Sequence, residues 1–221
     1  MTTTIAPAVR PYQSLYLPPV ARVAMAACAV LAPLSVLAGV LVHPADIGTE
    51  DRAAVEQFAA NLGDYPPVAW LHAAGLILWL PALLALGRVA RPQAPRLGLA
   101  GLILALALAI PTFDYDGLTY VALDAGLDVD TVTALVTAAS SLPAGILDLL
   151  FFAGLIGLIL LGVAVLRGQS APSWAGLALI VAPLAIPVSW FSGSLAAFIA
   201  AWSVLLIGFA GCGYALITAR R

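Results

Sequence analysis

Residues 142–166 read LPAGILDLLFFAGLIGLILLGVAVL, and the only ionisable side chain among them is Asp148. A helix needs about 20 predominantly apolar residues to cross the hydrocarbon core of a bilayer. It is also one of the few structures that satisfies every backbone group without water. This stretch is therefore read as a membrane-spanning helix, and Arg167 directly follows it. The rest of the chain repeats the theme. Of 221 residues, 63% are hydrophobic and 9% are charged, against about 25% charged in an ordinary soluble domain. A soluble core of this size cannot hide that much apolar surface.

Working outward from 142–166, five further apolar runs have spanning length, which makes six in all. They are Arg22–Val42, Pro67–Gly87, Leu97–Tyr120, Leu142–Leu166, Trp174–Trp190 and Leu195–Ile217. The expected fold is all-α, a polytopic transmembrane bundle formed by residues 1–221 as one domain. Trp174–Trp190 is the shortest run and holds Pro183 and Pro187. Proline kinks a helix, but spanning helices tolerate it where neighbours satisfy the freed carbonyls. The first run continues from Val20 to Val42, beyond the roughly 7–15 residues of a signal-peptide core, and is read as a retained first span.

Charge sets the orientation. The chain has no lysine. With six spans, Arg10, Arg22, Arg88, Arg91, Arg96, Arg167, Arg220 and Arg221 share one side, and only Arg52 falls on the other. The acids mirror them. Asp46, Glu50, Asp51, Glu56, Asp64, Asp124, Asp128 and Asp130 all lie on the side of Arg52. Arginine-rich loops face the cytoplasm, so both termini are expected inside, in a multi-pass protein of the plasma membrane.

Two outer segments read as short amphipathic helices. In the first, Thr49 is a plausible N-cap, and Val55, Phe58, Ala59 and Leu62 recur at helical spacing. In the second, Val129, Val132, Leu135 and Val136 form the apolar set. Cys28 and Cys212 lie in apolar runs and read as small packing residues rather than a redox pair.

Ionisable side chains inside a span are costly and mark candidate functional positions. Asp148 lies six residues past Leu142, about 9 Å below the outer helix end. Asp114 and Asp116 fall in the last turns of the third run, and His72 lies five residues past Pro67. Four ionisable groups from three helices thus share one outer slab, and Asp148, Asp116, Asp114 and His72 are the candidate catalytic set. Trp70, Phe113, Tyr115, Tyr120 and Trp190 crowd the same level and are the candidate substrate-binding set. An aromatic belt at the membrane interface explains such residues equally well. His43, with Pro44 and Asp46, is expected to cap the first helix at the surface. No phosphate-binding loop, His-Glu-x-x-His or Cys-x-x-Cys occurs. No metal or other cofactor is therefore expected, and no nucleic-acid partner.

Leu41-Val42-His43-Pro44, Trp70-Leu71-His72, the run from Leu80 to Leu86 and Asp116-Gly117 resemble features of small Ala/Leu-rich six-helix membrane proteins of high-GC actinobacteria. That resemblance implies the fold and no particular activity. In size and topology only, the chain also resembles the small integral-membrane terpene cyclases. Those enzymes use intramembrane carboxylic acids to protonate an alkene or epoxide without metal. No site residue carries over from them.

The functional expectation is a metal-independent acid catalyst, a cyclase or isomerase, acting on a lipophilic prenyl-type substrate. A carboxylic acid in a low-dielectric pocket has its charged form disfavoured and can keep its proton. The carbocation that follows protonation needs π-faces and a carboxylate nearby. Two alternatives remain. One is a small proton- or cation-coupled transporter, with a broken fifth helix as its gate. The other is an accessory subunit whose small-residue faces pack a partner or a second copy of the chain.

Overall fold

A computed structural model describes residues 18–45, 51–110, 115–140 and 142–218; the side chains of Asp51 and of 142–148 are outside that description. Among the described residues the chain is helical, with no strand. The helices are α1 (Pro19–Leu41), α2 (Asp51–Ala60), α3 (Tyr65–Ala90), α4 (Pro95–Ala105), α5 (Tyr115–Asp124), α6 (Val129–Ala139), α7 (Leu142–Gly168), α8 (Ser173–Ser192) and α9 (Leu195–Thr218). Short 3-10 turns occupy Leu62–Asp64 and Leu106–Ala109.

Five of these helices, α1, α3, α7, α8 and α9, are long and apolar enough to cross a membrane. Going round the bundle, neighbours run α1, α3, α4, α7, α8, α9 and back to α1, and α3 also touches α7 and α9. The core is built from Leu83, Leu86, Leu158, Leu161, Leu179, Ile186, Leu205 and Phe209, all fully buried. Large apolar side chains also cover the outside, among them Ile77, Val188 and Phe191, the last 88% exposed. A protein in water does not present such a surface, whereas lipid makes it costless.

Small residues let the helices touch. Between α4 and α7 the backbones meet at Gly101 and Gly157. Between α7 and α8 they meet at Gly162 and Gly176, where a β-carbon on either would stand 2.7 or 3.0 Å from the other's carbonyl oxygen. In lipid, apolar side chains gain nothing by leaving solvent, so close backbone packing has to supply the association.

The third expected span, Leu97–Tyr120, is not one helix. It is α-helical to Ala105, tightens to 3-10 over Leu106–Ala109, and turns extended at Ile110, with φ −86° and ψ 128°. Ile110 precedes Pro111, and a residue before proline is pushed out of the helical region. At about 1.5 Å per α-helical and about 2 Å per 3-10 residue, Pro95–Ala109 covers roughly 24 Å, short of a ~30 Å hydrocarbon core. Tyr115, Asp116 and Tyr120 therefore belong to the separate helix α5. The expected break in the fifth span is absent. α8 runs unbroken through Pro183 and Pro187, so the discontinuity lies in the third run instead.

The two expected amphipathic helices are present as α2 and α6. With α5 they form a cap on one end of the bundle. Val55, Ala122 and Val132 make one buried cluster, and Phe58, Tyr65 and Val68 another. The apolar faces are narrower than expected, because Ala59 and Leu135 are exposed. Thr49 lies outside the described residues. The observed cap on α6 is Asp128, which accepts from the Thr131 amide at 3.0 Å and from its hydroxyl at 2.7 Å. Arg52 binds Glu56 at 3.0 Å and also pairs with Asp130, tying α2 to α6.

Candidate functional site

The polar centre that the fold builds lies beneath this cap. α1 ends at Leu41, and His43 follows two residues later. Its Nε2 stands 3.1 Å from Oδ2 of Asp116 on α5. A carboxylate only accepts, so Nε2 carries the proton and donates. The other ring nitrogen, Nδ1, faces both backbone polar groups of Ala45, its carbonyl oxygen at 2.9 Å and its amide nitrogen at 3.2 Å. Asn61 donates to the Pro44 carbonyl at 3.2 Å and holds the same loop from α2's end.

An aromatic wall backs the pair. The His43 ring meets Phe58 edge-on with centroids 6.0 Å apart. Phe58 lies 5.1 Å from Tyr65, and Tyr65 lies 5.0 Å from Tyr120. Asp116 and Tyr120 are four residues apart on α5 and so share a face. The His43 side chain is 19% exposed and that of Asp116 41%, so the pair is only partly buried. Burial alone would push the His43 pKa down. The hydrogen bond to Asp116, the Asp116 charge and the Ala45 carbonyl outweigh burial, and the net direction is upward from the ordinary histidine value.

Of the expected site residues, Asp116 and His72 have different described neighbours. Asp116 is paired, and the imidazole that reaches it belongs to His43 rather than His72. His72 instead packs beside Gly39 of α1, where a β-carbon would stand 3.5 Å from its Nε2. Asp114 and Phe113 fall outside the described residues. Asp148 occupies the second turn of α7, with its side chain outside the description. Trp70 is 77% exposed and points away from the bundle, as an interfacial tryptophan does. Tyr115 and Tyr120 are half-buried on α5. Trp190 lies tilted against Phe151 at 5.0 Å and meets Phe152 edge-on at 6.3 Å.

The sequence reading missed His43 as a site residue. Its signal was a histidine two residues past a helix end, next to a proline, and that pattern also describes an ordinary surface cap.

A second feature is an open groove of about 760 Å³ beside the broken third run. Leu80 of α3, Leu106 and Ile110 of the third run, and Leu150 and Ala153 of α7 mark its sides, and its lining is wholly aliphatic. Its chemistry suits a hydrocarbon chain and no polar ligand. No group of three or more His, Cys, Asp or Glu placed to hold a metal occurs among the described residues. No family model matches this chain, and no curated protein or solved structure does either.

Proposed function

We propose that the protein is a membrane-embedded acid catalyst that isomerises or cyclises a lipophilic, prenyl-type substrate without a metal. The supporting observation is what α7 presents one turn beyond Asp148. Leu150 and Ala153 face the aliphatic groove. Phe151 and Phe152, three and four residues after Asp148, form an aromatic cluster with Trp190. At about 100° per residue, positions 148, 151 and 152 share the face of α7 opposite that groove, and the rings would offer π-faces to a cation formed there. Asp148 would be the proton donor. Asp116 is left out of that role, because His43 engages it in the cap. In this reading six helical segments cross the plasma membrane, the short third one included, with both termini in the cytoplasm.

A transport reading draws on one observation, the discontinuous third run beside a groove, since broken helices line the central sites of many transporters. One experiment separates the two. Membranes containing the chain are incubated with prenylated substrates and searched for isomers of unchanged mass. Such isomers, absent from empty membranes, support the catalyst. A proton-dependent flux into proteoliposomes, with no isomer formed, supports transport instead.

A further inference from the structure

His43 is satisfied by its surroundings in both of its charge states. Protonated, its Nδ1–H donates to the Ala45 carbonyl at 2.9 Å while Nε2–H donates to Asp116 at 3.1 Å. Neutral, with the proton kept on Nε2, the bond to Asp116 remains. The bare Nδ1 then accepts from the Ala45 amide at 3.2 Å. The ring gains or loses a proton without turning, and both ring nitrogens keep a partner either way, the Ala45 carbonyl and amide exchanging places as the partner of Nδ1. What changes is the charge facing Asp116.

The pair also joins two bodies. His43 belongs to the loop that leaves α1, inside the membrane bundle. Asp116 belongs to α5, which packs on α2, α6 and the turn at Leu62–Asp64 and reaches the bundle through Tyr120 on Tyr65 of α3. We propose that His43 and Asp116 form a proton-operated latch, which clamps the outer cap to the bundle when His43 is protonated and slackens when it is not.

The surroundings support a switch of this kind. Phe58 from α2 meets the ring edge-on, Tyr65 from α3 and Tyr120 from α5 continue the aromatic row behind it, and Asn61 binds the loop beside the ring. Among the described residues, Asp116 is the one whose charge acts on the ring. Arg52, Glu56 and Asp130 engage one another on the cap's exterior. The ring's pKa is raised in the folded chain. The latch is therefore fully engaged below the ordinary histidine value and weakens as pH rises through the higher folded value. It goes beyond the proposed chemistry and does not depend on it.

The test uses the full chain in nanodiscs. Amide protection factors across Tyr115–Asp124 are measured by hydrogen exchange at about pH 5.5 and about pH 8.5, on either side of a histidine titration. The wild type should lose protection severalfold at the higher pH. His43→Gln and Asp116→Asn should show no such step. Ring resonances recorded in a His72→Gln background isolate His43. Its midpoint should lie above about 6.5 and fall when Asp116→Asn is added, which decides the matter even if one cap variant exchanges too fast to read. A wild-type cap indifferent to pH, or a step that survives His43→Gln, overturns the latch.

Discussion

Gly157 of α7 lies flat against the backbone of Ala105 in α4, so close that a β-carbon would overlap the Ala105 amide nitrogen. On the other side of the same contact, a β-carbon on Gly101 would come within 3.0 Å of the Gly157 carbonyl oxygen. Backbone meets backbone here, and neither helix has a flexible side chain that could give way.

Gly157→Ala should therefore cost about 1–3 kcal/mol, the usual cost of overfilling a packed interior, and Gly157→Leu should separate α4 from α7. Gly63→Ala is the comparison, since nothing lies within 4 Å of a β-carbon there. Unfolding in mixed micelles measures both. Equal stability of Gly157→Ala and wild type would disprove the close contact.

Single cysteines, introduced after Cys28 and Cys212 are replaced by Ala, report the orientation. Ala60→Cys and Ala134→Cys lie on exposed cap positions, and Gln93→Cys and Gln169→Cys on exposed turns at the other end. An impermeant thiol reagent should reach the first two from outside and the second two only after the membrane is opened. Gln93→Cys labelling in intact cells would reverse the proposed topology.

Asp128 makes the start of α6 sensitive to acid. The Thr131 hydroxyl and amide both bind its carboxylate and hold its pKa below the ordinary aspartate value. The contribution is present at neutral pH and is lost as pH falls through the carboxylate range toward the lowered folded value. Exchange protection over Asp130–Thr133 should fall there, and Asp128→Ala should show the same fraying at every pH. Protection unchanged in Asp128→Ala would mean that the cap contributes nothing.

Catalysis by Asp148 predicts a large loss on Asp148→Asn, about 10²–10⁴-fold in turnover, the range a positioned proton donor supplies. An interhelical hydrogen bond of the structural kind averages only about 0.6 kcal/mol, so a packing role would leave turnover nearly intact. Asp116→Asn should retain most activity. Wild-type turnover in Asp148→Asn, on a substrate the wild type converts, would exclude it as the acid.

Composition and periodicity alone determined much of this molecule. A predominantly apolar run such as 142–166 has one stable form in lipid, because the backbone must bond to itself. The amphipathic spacing at Val55 and Phe58, and at Val129, Val132 and Val136, was equally plain, since those residues bury one face whatever they pack against. The break in the third run was also written locally, in Ile110 before Pro111. Hydropathy averages over a window, however, and a single proline does not lower the average enough to show.

Only the tertiary structure decided which charges meet. Asp116 and His72 share a depth in the linear reading, yet His43 is the residue that reaches Asp116, across 73 positions of sequence. Depth along a helix is a local quantity, fixed by rise per residue. Partnership depends on which faces turn toward each other once α2, α5 and α6 fold over the end of the bundle. That is a property of packing between distant elements, and no single run of residues contains it.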